Sequence, residues 1–160
     1  MLKQRGFTLL ELVLSLAIIG LLAGLAAPRL SSIHTVVDVR GFVDNLRAAI
    51  RYAQKNSMSS ECDTLVTVDA SGYAVSQWPV CQPSDHQAAT VVIAHPSQPE
   101  PLQASLPNQA TLSGRAVFYY DRAGVPREPI NGDAIARALV LSIGDHQVII
   151  EPTTGFVHAP

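Results

Sequence analysis

The sequence predicts an α+β protein: one long amino-terminal helix followed by a smaller antiparallel sheet. Three observations predict it. Leu12 to Pro28 contains no charged residue. From Ile33 to Ala53 apolar residues recur at three- and four-residue steps, the period of a helix face. Beyond Ser59 the chain breaks into short runs rich in Val, Ile, Leu and Tyr, separated by turn residues.

Lys3 and Arg5 are the only charges before Glu11, and this basic start favours a cytoplasmic amino terminus. Phe7 to Leu30 is long enough to cross a bilayer at about 1.5 Å per residue. A lone carboxylate at the head of such a segment is costly, because in hydrocarbon it must find a partner or neutralise. Glu11 therefore asks for a reason. On residue chemistry alone, two ordinary readings stand. One is a secretory signal peptide with Ala23, Ala26 and Ala27 near the cut site, and the other is a single-span anchor.

The helix does not stop where the uncharged run does. Ile33, Val36, Val37, Val43, Leu46, Ile50 and Ala53 mark one face, with Arg40, Asp44, Arg47, Arg51 and Lys55 largely between them. Pro28 lacks an N–H and is expected to kink or loosen the rod, with Gly41 a weaker point. The helix is expected to end near Asn56, where Asn-Ser-Met-Ser-Ser supplies polar breakers. A signal peptide has no need of this continuation.

Strands are expected next. Thr64 to Asp69 and Tyr73 to Trp78 flank Ala70-Ser71-Gly72 as a hairpin, and Leu139 to Ile143 and Gln147 to Ile150 flank Gly144-Asp145-His146 as another. Thr90 to Ala94, Ala116 to Tyr120 and a short Phe156-Val157 complete the set. Pro96, Pro99, Pro101 and Pro107 make the segment they span read as an exposed loop rather than a central strand. With 160 residues, a leader and an apolar segment leave room for one small domain. Aromatic residues make up only 6%, so its core must rest on Val, Ile, Leu and Ala.

Cys62 and Cys81 are the only cysteines. In an exported head a disulfide is their default fate, closing a loop whose entropic value is about 3 kcal/mol. Metal binding with His86 and His95 is the alternative, although the spacings match no zinc pattern. Two unpaired thiols are a third. Ser84-Asp85-His86 is no catalytic triad on its face, because triads assemble in space rather than along the chain. His34 on the stem, His146 in a turn and His158 in the tail read as solvated surface residues. Nothing resembles a phosphate-cradling glycine loop, so no enzyme activity, cofactor or metal is expected. From Ser59 onward four arginines stand against ten carboxylates, about −6 with His neutral. Nucleic-acid affinity rests largely on Lys and Arg contacts to phosphate, so this balance argues against it.

Gly6-Phe7-Thr8-Leu9-Leu10-Glu11, set between the basic start and the apolar run, resembles the processing signature of type IV pilins and of type II secretion pseudopilins. The likeness extends to Pro28, where that family commonly has a proline. It implies a leader over 1–6, removed by prepilin peptidase between Gly6 and Phe7, and N-methylation of Phe7. It further implies that Glu11 pairs with the amino terminus of a neighbouring subunit during assembly. The implied division is leader 1–6, membrane and assembly helix 7–30, amphipathic stem 31–58 and β-rich head 59–160.

In the head, Phe42 to Gln54, Val117 to Asp121 with Gly124, and Pro152 to Gly155 resemble the GspH/FimT group of minor pilins and pseudopilins. The paired cysteines resemble those of minor pilins of mannose-sensitive haemagglutinin pili. These likenesses imply a low-abundance subunit that initiates or caps a pilus supporting adhesion, or a minor pseudopilin of a secretion system. Its partners would be other major and minor pilins, the prepilin peptidase and the inner-membrane assembly platform. It would sit as a single-pass protein of the bacterial inner membrane with its head in the periplasm, then on the cell surface in the fibre. Some FimT-like subunits take up DNA through a Gly-Arg-x-Arg motif. Here Gly155-Phe156-Val157-His158 lacks both arginines, so nucleic acid is not an expected partner.

Overall fold

The computed structural model describes residues 8–160 apart from Gln82, Gln87, Ala89, Gln98 and Gln109, and between residues 23 and 36 the backbone alone. The expected leader over 1–6 and Phe7 lie outside the described residues. A single α-helix, α1, runs from Leu9 to Ser60. The chain divides into two compact units whose boundary falls inside this helix, between Val37 and Asp38.

In the first unit every described side chain of the helix, Leu9 to Leu22 and Val37, is exposed. In the second unit the helix behaves oppositely. Phe42, Val43, Leu46, Ala49, Ile50 and Ala53 are buried, and their spacing puts them on one stripe packed against the sheets. Leu46, Ile50 and Ala53 lose all contact with solvent; a fully buried Leu or Ile contributes about 1.5–3 kcal/mol.

The helix outlasts its expected end at Asn56. Ser57 donates to the Gln54 carbonyl at 2.8 Å, and Ser60 to that of Asn56 at 2.6 Å. The hydroxyls that signalled a breaker bond back onto the preceding turn instead. Ser57 is also fully buried. The helix stops when Glu61 enters the left-handed region at φ 55°, a terminating conformation usually given to glycine.

Two antiparallel sheets follow. The first has the order β3-β2-β1-β6-β7, with β4 also paired to β2. Its strands are β1 (Thr64–Asp69), β2 (Gly72–Gln77), β3 (Val91–Val92), β4 (Gln103–Ser105), β6 (Ala116–Tyr120) and β7 (Pro126–Arg127). The second has the order β10-β9-β8-β5, from β5 (Leu112–Ser113), β8 (Leu139–Ile143), β9 (His146–Ile150) and β10 (Val157–His158). Alternation along β1 turns Val66 and Val68 inward. Phe118 and Tyr120 from β6, with Leu141, Ile143, Val148 and Ile150 from β8 and β9, complete the core with the helix stripe.

Both expected hairpins are present, with β1 paired to β2 and β8 to β9. The proline-rich segment departs from expectation. Rather than a wholly exposed loop it contains β4 and the buried Leu102. Leu102 N–H donates to the Ile93 carbonyl at 2.8 Å, and its carbonyl accepts from Val75 N–H at 3.0 Å. The prolines flank this pairing without removing a donor from it, as edge positions allow. The run expected over Thr90 to Ala94 shortens to β3 and a bridge between Ala94 and Pro101. The final strand moves one residue on, to Val157–His158, and leaves Phe156 exposed. His146 and His158 consequently lie in strands β9 and β10, not in a turn and a tail.

Three distant segments close on Gln54. Its Nε2 donates to the Gly124 carbonyl at 2.9 Å and to that of Thr154 at 2.6 Å. Tyr120 donates its hydroxyl to the Gly155 carbonyl at 2.8 Å. Gly155 has φ +66°, and a Cβ there would lie 2.5 Å from Tyr120 Cε1 and 2.8 Å from Gln54 Nε2. Only glycine fits both the conformation and the space. The stem, the turn after β6 and the turn before β10 are thus one hydrogen-bonded joint.

Candidate assembly segment

The first turn of α1 is built by a cap. Thr8 Oγ1 accepts from Glu11 N–H at 3.3 Å, and the Thr8 carbonyl accepts from Leu12 N–H at 3.2 Å. Thr8 therefore occupies the N-cap with Glu11 three residues on, the spacing of a capping box. A carboxylate here also meets the positive end of the helix dipole. The sequence reading gave Thr8 no role, although Thr-x-x-Glu before an apolar run is a legible start signal.

Behind Glu11 the helix surface is apolar and open. Leu9, Leu10, Leu12, Val13, Leu14, Leu16, Ile18, Ile19, Leu21 and Leu22 are each more than half exposed. Ser15, the one hydroxyl among them, donates to the Leu12 carbonyl at 2.8 Å, so it presents no unsatisfied donor. A contiguous apolar surface of this kind marks contact with lipid or protein. Among the described residues no helix is long and apolar enough to cross a membrane. Gly6 and Phe7 lie outside the described residues. At Pro28 the backbone is helical, while its side chain, like that of His34, lies outside them.

In the head, Cys62 and Cys81 are joined in a disulfide. It ties the exit of α1 to the chain beyond β2, beside a hydrogen bond from Asp63 N–H to the Cys81 carbonyl at 2.9 Å. His86 is no member of a serine triad. Its Nε2 lies 2.8 Å from Asp63 Oδ2. The ring stacks on Tyr119 with centroids 4.1 Å apart and meets Trp78 edge-on at 5.0 Å. The imidazole packs the disulfide-bonded loop onto β6. Burial pushes the Tyr119 phenol above its ordinary pKa, with Asp63 adding to it.

Other charged groups also hold structure. Asp121 Oδ1 accepts from Ala123 N–H at 2.9 Å and Val125 N–H at 3.0 Å, while its second oxygen pairs with Arg127. His95 Nδ1 accepts from Ser97 N–H at 3.2 Å. His158 Nε2 lies 2.9 Å from Glu151 Oε1, and that hydrogen bond holds the imidazole above its ordinary pKa. Among the described residues no group of three or more His, Cys, Asp or Glu is placed to hold a metal ion.

Comparison with curated proteins and with solved structures finds no match. Residues 1–27 match the prokaryotic N-terminal methylation motif. That similarity, with an α-helix packed on an antiparallel head, indicates a type IV pilin-like or pseudopilin-like structural subunit, processed by prepilin peptidase and assembled with other pilins.

Proposed function

We propose that this chain is a minor type IV pilin that initiates or caps a pilus and supports adhesion. One observation carries the reading. The helix from Leu9 to Leu22 exposes its apolar side chains on all sides, behind a capped first turn bearing one carboxylate. Among the described residues nothing in the first unit covers this surface, so its burial comes from lipid and then from other helices.

Prepilin peptidase cuts between Gly6 and Phe7 and the new amino terminus of Phe7 is methylated. The subunit then waits as a single-pass inner-membrane protein with its head in the periplasm. The assembly platform extracts it into the fibre, exchanging lipid contacts for helix packing. Glu11 pairs there with a neighbour's amino terminus. An ion pair buried in an apolar setting is stable when complete and heavily penalised when one partner is missing, so it rewards correct axial register. Pro28 loosens the rod at the junction between the assembly helix over 7–30 and the stem over 31–58. The disulfide stabilises the head over 59–160 outside the cell.

A minor role is supported by Pro96, Pro99 and Pro101, which stand exposed at the edge of the first sheet. They give a surface poorly suited to stacking in every subunit. The head's acidity, and Phe156 and His158 at the positions where DNA-uptake subunits carry arginines, count against nucleic acid. Electron microscopy of surface filaments on a clean deletion strain, with a complemented control, tests the proposal. Loss of pili restored by the wild-type copy is the expected result. Normal pili would overturn it and favour a minor pseudopilin of a type II secretion system.

A further inference from the structure

Beyond the expected leader the chain holds a single thioether, Met58, since the only other methionine is Met1. Met58 lies in the last turn of α1 and is 55% exposed. Cys62 and Cys81 are already joined in a disulfide. Met58 is therefore the one reduced sulfur that the chain beyond the leader offers to an oxidant.

That sulfur sits at the joint around Gln54. Met58 follows Gln54 by four residues, so the two side chains share one face of the helix. Both lie against Gly124, a buried residue in the turn after β6. A Cβ on Gly124 would lie 2.8 Å from Met58 Sδ, 3.1 Å from Met58 Cγ and 3.3 Å from Gln54 Cγ. The thioether thus occupies space that only a glycine leaves open. Gln54 Nε2 donates to the Gly124 carbonyl at 2.9 Å and to that of Thr154 at 2.6 Å. Gly155 crowds the same spot, because a Cβ there would fall 2.9 Å from the Gly124 oxygen. Met58 is reachable from solvent, yet its sulfur is packed onto the backbone that the joint holds.

We propose that Met58 is an oxidation site through which hydrogen peroxide loosens the joint between stem and head. The sulfur lone pair attacks one peroxide oxygen as the O–O bond breaks. Sulfur is oxidised by two electrons to the sulfoxide, and the second oxygen leaves with both protons as water. The step turns a flexible apolar side chain into a polar, chiral one. The added oxygen enlarges a group already seated on Gly124, and overfilling a packed contact destabilises it. Its lone pairs also compete with the Gly124 and Thr154 carbonyls for Gln54 Nε2. Exposure gives the oxidant access, and the contact with Gly124 gives the oxidation its structural consequence.

The test treats the full-length protein in detergent with hydrogen peroxide. Peptide mass follows Met58, thermal melting follows the head, and hydrogen exchange follows the amides of Gly124 and Gly155. Those amides donate to the Asp121 and Glu151 carbonyls at 2.8 and 2.9 Å. The expected result is Met58 sulfoxide, a melting temperature lowered by about 4–8 °C and faster exchange at both glycines. The two stereospecific methionine sulfoxide reductases should restore both readouts. Met58→Leu, a swap of similar volume, should melt near wild type and ignore peroxide. Sulfoxide formation with unchanged melting and exchange would overturn the proposal. So would a Met58 that stays reduced at a dose that oxidises the same segment as a free peptide. An equal loss in peroxide-treated Met58→Leu would overturn it too, by placing the damage elsewhere. Should Met58→Leu fail to fold, repair of the wild type decides: reduction of the sulfoxide without recovery of the melting temperature overturns the proposal, and recovery supports it.

Discussion

Leu14 and Leu46 are the same residue type on the same helix, and the structure treats them in opposite ways. Leu14 is 57% exposed and Leu46 is 0% exposed. The difference is what each segment has to pack against. From Phe42 to Ala53 two sheets of the same chain receive the apolar stripe. From Leu9 to Leu22 no described residue does so, and the apolar side chains lie all round the helix instead of on one stripe. A stripe belongs to a helix that finds its core within its own domain. A helix apolar on every face is one that is surrounded, in the proposed function by membrane and then by other subunits of the fibre.

Truncations at three positions test this contrast. Phe118→Ala, in the fully buried core, should cost the head about 3–5 kcal/mol, and Leu46→Ala about 2–5 kcal/mol. Leu14→Ala should leave head stability within about 0.5 kcal/mol. Urea unfolding of the full-length protein in detergent, followed through Trp78 fluorescence, compares all three. Equal losses at Leu14 and Leu46 would erase the contrast.

Removing the disulfide comes next in size. Cys62 and Cys81 are 19 positions apart, and a loop of that order is worth about 3 kcal/mol in the chain-entropy description. Cys62→Ser with Cys81→Ser should lower the head's unfolding free energy in urea by that amount while leaving cleavage at Gly6 unchanged. Gly155→Ala should cost about 1–3 kcal/mol, because it forces a left-handed φ on a side chain that also collides with Tyr120 and Gln54. A thermal melt that matched wild type would remove Gln54 as the joint between stem and head.

The smallest effect is electrostatic. Its hydrogen bond to Glu151 raises His158 above the ordinary histidine value of 6.5. A raised folded-state value means this contribution is fully present below the unfolded value, and is lost as pH climbs through the folded one. An NMR titration should therefore place the His158 midpoint above 6.5, and Glu151→Gln should bring it back down.

The parts of the fold that were legible in the sequence are those written in neighbouring residues. The helical period from Ile33 to Ala53 and the two hairpins are local patterns, as is the run from Gly6 to Glu11. What was not legible depends on distant partners. Gln54 bonds to groups 70 and 100 positions away, and nothing near it in the chain announces this. His86 finds Asp63 at 2.8 Å rather than its neighbours Ser84 and Asp85 in a triad. Two-residue strands such as β5 and β7 are too short to show any alternation. The serines from Ser57 to Ser60 signal a break or a continuation according to whether their hydroxyls turn outward or bond back onto the helix. Here Ser57, Ser59 and Ser60 bond back.

In the proposed fibre the exposed first part of α1 acts in assembly through Glu11. The most direct test of that role is the fate of Glu11→Ala, quantified in parallel in membranes and in sheared filaments, with intact mass of the mature chain. The expected result is a protein cut between Gly6 and Phe7 and abundant in the membrane, but strongly depleted from filaments. Incorporation equal to wild type would contradict the pairing of Glu11 with a neighbour's amino terminus.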